Sequence, residues 1–436
     1  MYAPVTCRAT LRFLMSEAVR TGMHVRQLDV RTAFLNGVLD DVTVYMQQPE
    51  GFVSDPDLVC HLTKAIYGLK QAPRQWHKEV KKVLCALGFA PSFADPGLFV
   101  RTEADGSLTY VLTYVDDFLV ATKDLSVYQE VFAACKNAGW ELKELGFPEQ
   151  FLSINIENVG GFDPPTQIIL HQGGAIDRIL SEYNMAQCKS VKVPITDDFS
   201  EQVEFSPPLA ADVPFSRLVG MLLYLSSCTR PDLAYVVHVL TRVMSKPQEA
   251  HWELAKRVLK YLKGTCTLGI SYSKASNLPL ACYSDSCFSG NRNGGRSISG
   301  YAAISGGGAV SWHSRKQSTV SKSSSDAEYQ ALSAAVTEVC WLRALRFDMG
   351  LPTVTVPLYG DNVSSLSWGK EAKADQKNKH ISTIHHHIRE KVERREIELK
   401  WISGSEMVAD MFTKPLGAQL FLPFRDKLGM VEAAYH

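Results

Sequence analysis

The 436-residue chain has no uninterrupted apolar run of about eighteen residues, the length a membrane-crossing helix needs, so no membrane role is expected. Its first residues, Met-Tyr-Ala-Pro-Val-Thr-Cys-Arg, carry no long apolar core of the secretory kind. Ten cysteines are scattered without a CxxC pair, and Cys282 and Cys287 do not make a zinc spacing. They read as reduced, mostly buried thiols of an intracellular protein. Net charge is also missing: 46 Lys and Arg face 46 Asp and Glu, which at first argues against a polyanionic partner. The distribution argues for one. Residues 64–82 hold Lys64, Lys70, Arg74, Lys78, Lys81 and Lys82 against Glu79 alone, and residues 242–263 hold six cations against Glu249 and Glu253. Residues 292–322 hold Arg292, Arg296, Arg315, Lys316 and Lys322 with no acid. Such stretches form either solvated helix faces or a groove that follows phosphates.

What is abundant is apolar content, 45%, enough for about two or three domains with real cores. The chain centres on Leu108-Thr-Tyr-Val-Leu-Thr-Tyr-Val-Asp116-Asp117-Phe-Leu-Val-Ala-Thr122. Two β-branched and aromatic runs flank adjacent aspartates, which predicts a hairpin with the acids at its turn. A structural two-residue turn favours Asn-Gly or Asp-Gly. Two neighbouring carboxylates repel, so the pair is either a solvated acidic turn or a site for a hard divalent cation.

Upstream, residues 7–22 read as an amphipathic helix ending at Gly22, followed by the strand His24-Val-Arg-Gln-Leu-Asp29-Val. Asp29 at a strand end suits either a metal ligand or a cap of the next helix. Gly68-Leu-Lys70-Gln71-Ala-Pro73-Arg74 joins a flexible hinge, a rigid proline and two cations before a helix. It fits phosphate or template contact as well as a charged linker.

Five segments now occur in a fixed order: Leu28–Gly37, Val44-Tyr-Met-Gln-Gln-Pro-Glu-Gly-Phe52, Ile66–Trp76, Asp95-Pro-Gly-Leu-Phe99 and Tyr114-Val-Asp-Asp117. Together they resemble the reverse transcriptase of copia-type LTR retrotransposons. The resemblance implies a right-hand polymerase palm in which Asp29, Asp116 and Asp117 hold two Mg²⁺ ions (Mn²⁺ as a substitute). Its partners would be an RNA template, a DNA primer and dNTP. Phe34 takes the place of the steric gate against a ribose 2′-hydroxyl, and Lys70, Gln71, Pro73 and Arg74 that of the nucleotide and template contacts. Phe151-Leu152-Ser153-Ile154 takes the primer-grip position with Ser153 where the family has Gly, an expected mild perturbation. In the family, a fingers segment carrying a Lys and an Arg for the triphosphate precedes Ala3-Pro4-Val5. Incomplete fingers and negligible primer extension by this chain alone are therefore expected.

The last third carries a second acidic set. Leu280–Asp285 and Val354–Asp361 read as strands ending in Asp, and Ser297–Ile304 with Ala309–Ser314 as a hairpin. Ser323 to Ser325 offer caps for a helix through Asp348, in which Glu328 heads the stripe Leu332, Ala335, Val339, Leu342. Ile397–Ser403 reads as a strand, with Asp410 opening or lying early in the helix after it. Each acid alone is as well explained as a cap or surface group. The ordered set Asp285, Glu328, Asp361, Asp410, with Gly300-Tyr301, Ser311-Trp312, Lys316-Gln317, Ala327-Glu328-Tyr329, Lys379-His380 and Ala409-Asp410-Met-Phe-Thr-Lys-Pro-Leu416, resembles ribonuclease H in its copia-type form. That implies hydrolysis of RNA in an RNA–DNA hybrid with all four acids as metal ligands. Cys287 replaces a second acid of the family's first motif, an expected weakening of metal affinity. His380 and His385-His386-His387 do not read as a zinc site, because consecutive residues cannot face one way on a helix.

The expected architecture is α+β and α/β: a palm with incomplete fingers over residues 1–157, and a helical thumb or connection over 158–277. A ribonuclease H-like domain over 278–416 and a C-terminal tail over 417–436 complete it. The expected function is a reverse transcriptase–ribonuclease H fragment in a cytoplasmic particle or the nucleus. The alternative is a catalytically inactive remnant or a domesticated hybrid-binding protein.

Overall fold

In the computed structural model, residues 5–40, 42–276, 278–288, 295–370 and 382–434 are described. Three sheets dominate these residues. In the first, six strands run in the order Ala90–Pro91, Leu98–Thr102, Leu108–Tyr114, Asp117–Thr122, His24–Val30 and Leu142–Gly146. Every neighbouring pair is antiparallel. The expected hairpin is its centre. The turn, however, is Val115-Asp116, because Tyr114 pairs with Asp117 and Asp117 already opens the second strand.

The middle sheet adds strands to the connection that the sequence reads as helical. Its five strands run Met430–Glu432, Leu268–Ser273, Gln167–His171, Ile154–Asn158, Gln150–Phe151, with the helices Phe215–Cys228, Ala234–Thr241 and Glu249–Lys263 beside them. The strand Ile154–Asn158 straddles residue 157, so a boundary there would cut a strand. Residues 417–436 are no loose tail in their described part. A helix, Ala418–Lys427, buries Phe421 and Phe424, and the strand after it pairs with Leu268–Ser273. Burying two phenylalanines stabilises by several kcal/mol, on the order of 1.5–3 each, which ties such a segment down.

The last sheet is mixed, in the order Gly308–Lys316, Ile298–Ser305, Ala281–Cys287, Val356–Gly360, Ile397–Trp401. The final two pairings are parallel. The long helix Ser324–Asp348 lies on it, capped by the Ser323 hydroxyl accepting from the Asp326 amide. Leu332, Ala335, Val339 and Leu342 are buried, as the stripe predicts.

One apolar core runs through all three sheets. At its middle lies the helix Arg8–Thr21, where Thr10 through Val19 are all buried. It stops at Gly22, whose φ of 68° is a left-handed conformation that glycine adopts freely. Asp95 of the Asp-Pro-Gly segment anchors the helix start by accepting from the Cys7 amide at 2.9 Å and the Thr10 hydroxyl at 2.5 Å. Arg12 then reaches across the core. It donates to Val310 O at 2.8 Å, Ser227 O at 3.0 Å and Cys228 O at 2.8 Å, with its guanidinium 4.0 Å from the Trp312 ring centre.

Candidate metal centres

The first sheet brings Asp29, Asp116 and Asp117 together. Asp29 stands directly opposite Asp117 in the antiparallel register, and the Val30 amide donates to Asp116 O at 2.8 Å. Val115 holds φ at 53°, a costly conformation for a β-branched residue, and Trp76 Nε1 pins its carbonyl at 2.7 Å. The turn is thus fixed from outside. Burial, and then the neighbouring acids, raise the carboxyls of Asp116 and Asp117 above the ordinary range. Gln27 Nε2 donates to Asp117 Oδ1 at 3.0 Å and the Tyr67 hydroxyl to Asp116 Oδ2 at 3.1 Å. Asp116 Oδ1 is buried with no hydrogen-bond partner, a position a cation would satisfy.

Phe34 lies in the short helix Ala33–Asn36, its ring 4.8 Å from that of Tyr67. Lys70 and Arg74 are exposed, Gln71 is the N-cap of the helix Ala72–Ala86 and Pro73 lies in its first turn. Among the described residues these four make no hydrogen bond or ion pair with the acids. Leu152 and Ser153 form a tight turn with φ of 52° and 57°, so Ser153 does occupy a conformation that glycine would hold more cheaply.

The last sheet assembles the second set. Tyr283 pairs with Tyr359 in the parallel register, so Asp285 and Asp361, each two residues further on, emerge at the same sheet edge. Asp410 arrives from Val408–Phe412, a single 3-10 turn instead of the expected α-helix, and Glu328 from the first turns of the long helix. Carboxylate oxygens of Asp285, Asp361 and Asp410 lie within 4.8 Å of one another. Asp285 is 1% exposed and Asp410 7%. Gly300, opposite Asp285, lets the Phe412-Thr413 backbone come close enough for the Thr413 hydroxyl to donate to Asp285 Oδ2.

Four acids in one place carry an electrostatic cost that shows in their protonation. Burial, with Asp285 and Asp361 adding to it, pushes Glu328 up to about 9. Burial and then Asp285 push Asp410 up to about 7, against the pull of Lys414. Asp361 is raised for the same reasons, burial first. Glu328 Oε1 accepts from the Ser286 amide at 3.2 Å. Lys414 Nζ stands 2.9 Å from Asp410 Oδ1 and 3.8 Å from Asp285 Oδ2. An all-oxygen donor set of this kind fits Mg²⁺ or Mn²⁺.

Comparison with known proteins gives the family. Residues 1–197 match the family described as reverse transcriptase (RNA-dependent DNA polymerase). The chain is 32% identical over 438 residues to the retrovirus-related Pol polyprotein from transposon TNT 1-94 of Nicotiana tabacum, covering 99% of this chain and 32% of that one. It is 35% identical over 434 residues to the Pol polyprotein from transposon RE2 of Arabidopsis thaliana, covering 99% and 29%. A transposon Ty5-1 protein of Saccharomyces cerevisiae is 33% identical over 315 residues, 72% of this chain and all of that one. The chain belongs to the copia-type reverse transcriptase family. It spans about a third of the length of the Pol polyproteins that it matches, 32% and 29% for the two above. A ribonuclease H domain from Mycobacterium tuberculosis superposes at a TM-score of 0.24 with 13% identity, covering 34% of this chain and 98% of that domain, too loosely to bear on the fold.

Several residues of the two centres carry no signal in the sequence pattern. Tyr67, Gln27, Thr413 and Lys414 have ordinary spacings, although Tyr67, Thr413 and Lys414 lie inside family segments. Their roles depend on which strand ends meet. Ala3, Pro4, Arg292, Lys379 and His380 fall outside the described residues. Cys287 closes the strand Ala281–Cys287 beside the acids, its thiol raised by burial.

Proposed function

We propose that this fragment cleaves the RNA strand of RNA–DNA hybrids at Asp285, Glu328, Asp361 and Asp410, with a divalent cation as cofactor. The convergence of three carboxylates within 4.8 Å at one sheet edge, Glu328 beside them, carries this reading. Asp285, Asp361 and Asp410 would hold the cation, with Glu328 completing the set. A divalent cation held by these carboxylates would supply Lewis acidity for phosphodiester hydrolysis, favouring attack by water and offsetting charge on the departing oxygen.

The chain's own groups prepare the centre. Thr413 holds Asp285 in place through its hydroxyl, and Glu328 keeps a proton near neutral pH while no cation is present. The Lys414 ammonium offsets part of the acid charge. Asp29, Asp116 and Asp117, with Phe34 as a gate, form by the same reading the centre for nucleotide addition to a DNA primer on an RNA template. Lys70, Gln71, Pro73 and Arg74 would contact dNTP and template there. The buried, unpartnered Asp116 Oδ1 supports cation binding at that site.

The test is incubation of an end-labelled hybrid with the full chain and Mg²⁺. RNA cleavage is expected from the wild type and none from Asp361→Asn. Absence of cleavage leaves the alternative, a hybrid-binding protein that turns nothing over, and cleavage indifferent to that substitution refutes this cluster as the nuclease centre.

A further inference from the structure

Lys414 stands out because it occupies space that a cation ligand set would be expected to keep for the cation. Its Nζ lies between two of the three converging carboxylates, 2.9 Å from Asp410 and 3.8 Å from Asp285. The ion pairs of the described residues give the four acids no other cation. Its backbone is tethered, the Lys414 amide donating to Asp410 O at 3.2 Å, while its side chain is 36% exposed on a flexible four-carbon stem. The ammonium can therefore leave the acids for solvent without any movement of the main chain.

We infer that Lys414 is the resident counter-ion of the acid cluster, and that a divalent cation binds there by displacing its ammonium from Asp410 and Asp285. This rests on the reading of the cluster as a cation centre. The physical reason is that both cations seek the same oxygens and repel each other at such short range. Two consequences follow. The centre assembles without metal, because one positive charge already sits among acids that would otherwise push apart. The same charge weakens divalent binding, since every ion that enters must first break the Lys414 pairs. Lysine suits this task better than arginine, as a compact point charge that does not clamp a carboxylate with two parallel bonds.

Titration of the cation-free full chain with Mn²⁺ by calorimetry, beside cation-free thermal unfolding, tests the inference. Lys414→Met should bind Mn²⁺ roughly tenfold tighter or more, and unfold at lower temperature without metal. Lys414→Arg should restore both the weaker affinity and the cation-free stability. Equal or weaker Mn²⁺ affinity in Lys414→Met overturns the inference, even with a lowered unfolding temperature, because a purely structural ion pair would behave that way. If neither wild type nor variant binds Mn²⁺, the cation centre itself is refuted and the inference falls with it. Binding that is intact but unchanged by the substitution removes the inference alone.

Discussion

Gly300→Ala is the sharpest probe of how the acid cluster is held together. A methyl group at Gly300 would stand 2.5 Å from Phe412 Cβ, 2.8 Å from Thr413 Cγ2 and 3.2 Å from the Phe412 carbonyl carbon. Carbon atoms rest at about 3.5–4.0 Å, so the Val408–Phe412 turn has to withdraw by about 1 Å. Overpacking of this kind costs about 1–3 kcal/mol. The functional loss should exceed what that stability change implies, because the displaced turn carries Asp410, and Thr413 follows it. A misplacement of about 1 Å at a reacting centre costs on the order of 10²-fold in rate. Single-turnover cleavage of a hybrid and thermal unfolding followed by circular dichroism read the two effects separately. Gly220→Ala is the paired control: Gly220 lies exposed in the helix Phe215–Cys228 with open space around its Cβ position. It should stabilise by about 0.5–1 kcal/mol and leave cleavage unchanged. Gly300→Ala with wild-type unfolding temperature and cleavage rate would refute the close approach as what positions Asp410.

Arg12→Met should destabilise the protein by roughly 3 kcal/mol or more, because two buried carbonyls and one half-buried one lose a charged donor at about 1–3 kcal/mol each. A shift in the urea midpoint equivalent to less than about 1 kcal/mol would deny Arg12 its cross-sheet role. Glu328 and Asp410 give a pH dependence. Folded, they keep protons to about 9 and about 7 that the unfolded chain releases near 4, so the folded state binds more protons and the cation-free protein loses stability as pH rises from about 4, Asp410's share gone by about 7 and that of Glu328 continuing to about 9. His238, pushed down to about 4 by burial, contributes the opposite slope, but only below about 6.5. Unfolding temperatures of wild type and Glu328→Gln should therefore diverge across pH 7–9, with the wild type falling faster. Parallel profiles would show that Glu328 is not held protonated.

The strands that carry Asp29 and Asp285 and the one that delivers Asp361 follow from alternation and composition, although the first two run on to Val30 and Cys287, and the helix Ser324–Asp348 follows from its cap and its stripe. These are local properties, legible wherever a periodic pattern meets a breaker. The family segments added the pairing of each acid with its set. What the sequence does not display is what depends on distant partners. Arg12 and Val310 are 298 positions apart, and no periodicity in either segment announces the bond. The strands Gln167–His171 and Leu268–Ser273 are short and far apart, and each reads as a stray apolar run until they pair. Residues 418–432 look like a tail because their two phenylalanines and short strand acquire meaning only against that sheet. Lys414 and Tyr67 were hidden for a related reason: a cation or a phenol has a role here only through the carboxylate it meets.

The position of the helix Arg8–Thr21 also sets an order of events during synthesis. It leaves the ribosome well before residues that pack with it in that core, Ile270 and Val310 among them, some 260 to 300 positions later. At about 5–20 residues per second, its apolar face waits roughly 15–60 s for those partners. Over that interval a helix buried along most of its length in the folded chain is exposed, a nascent segment suited to a holding chaperone.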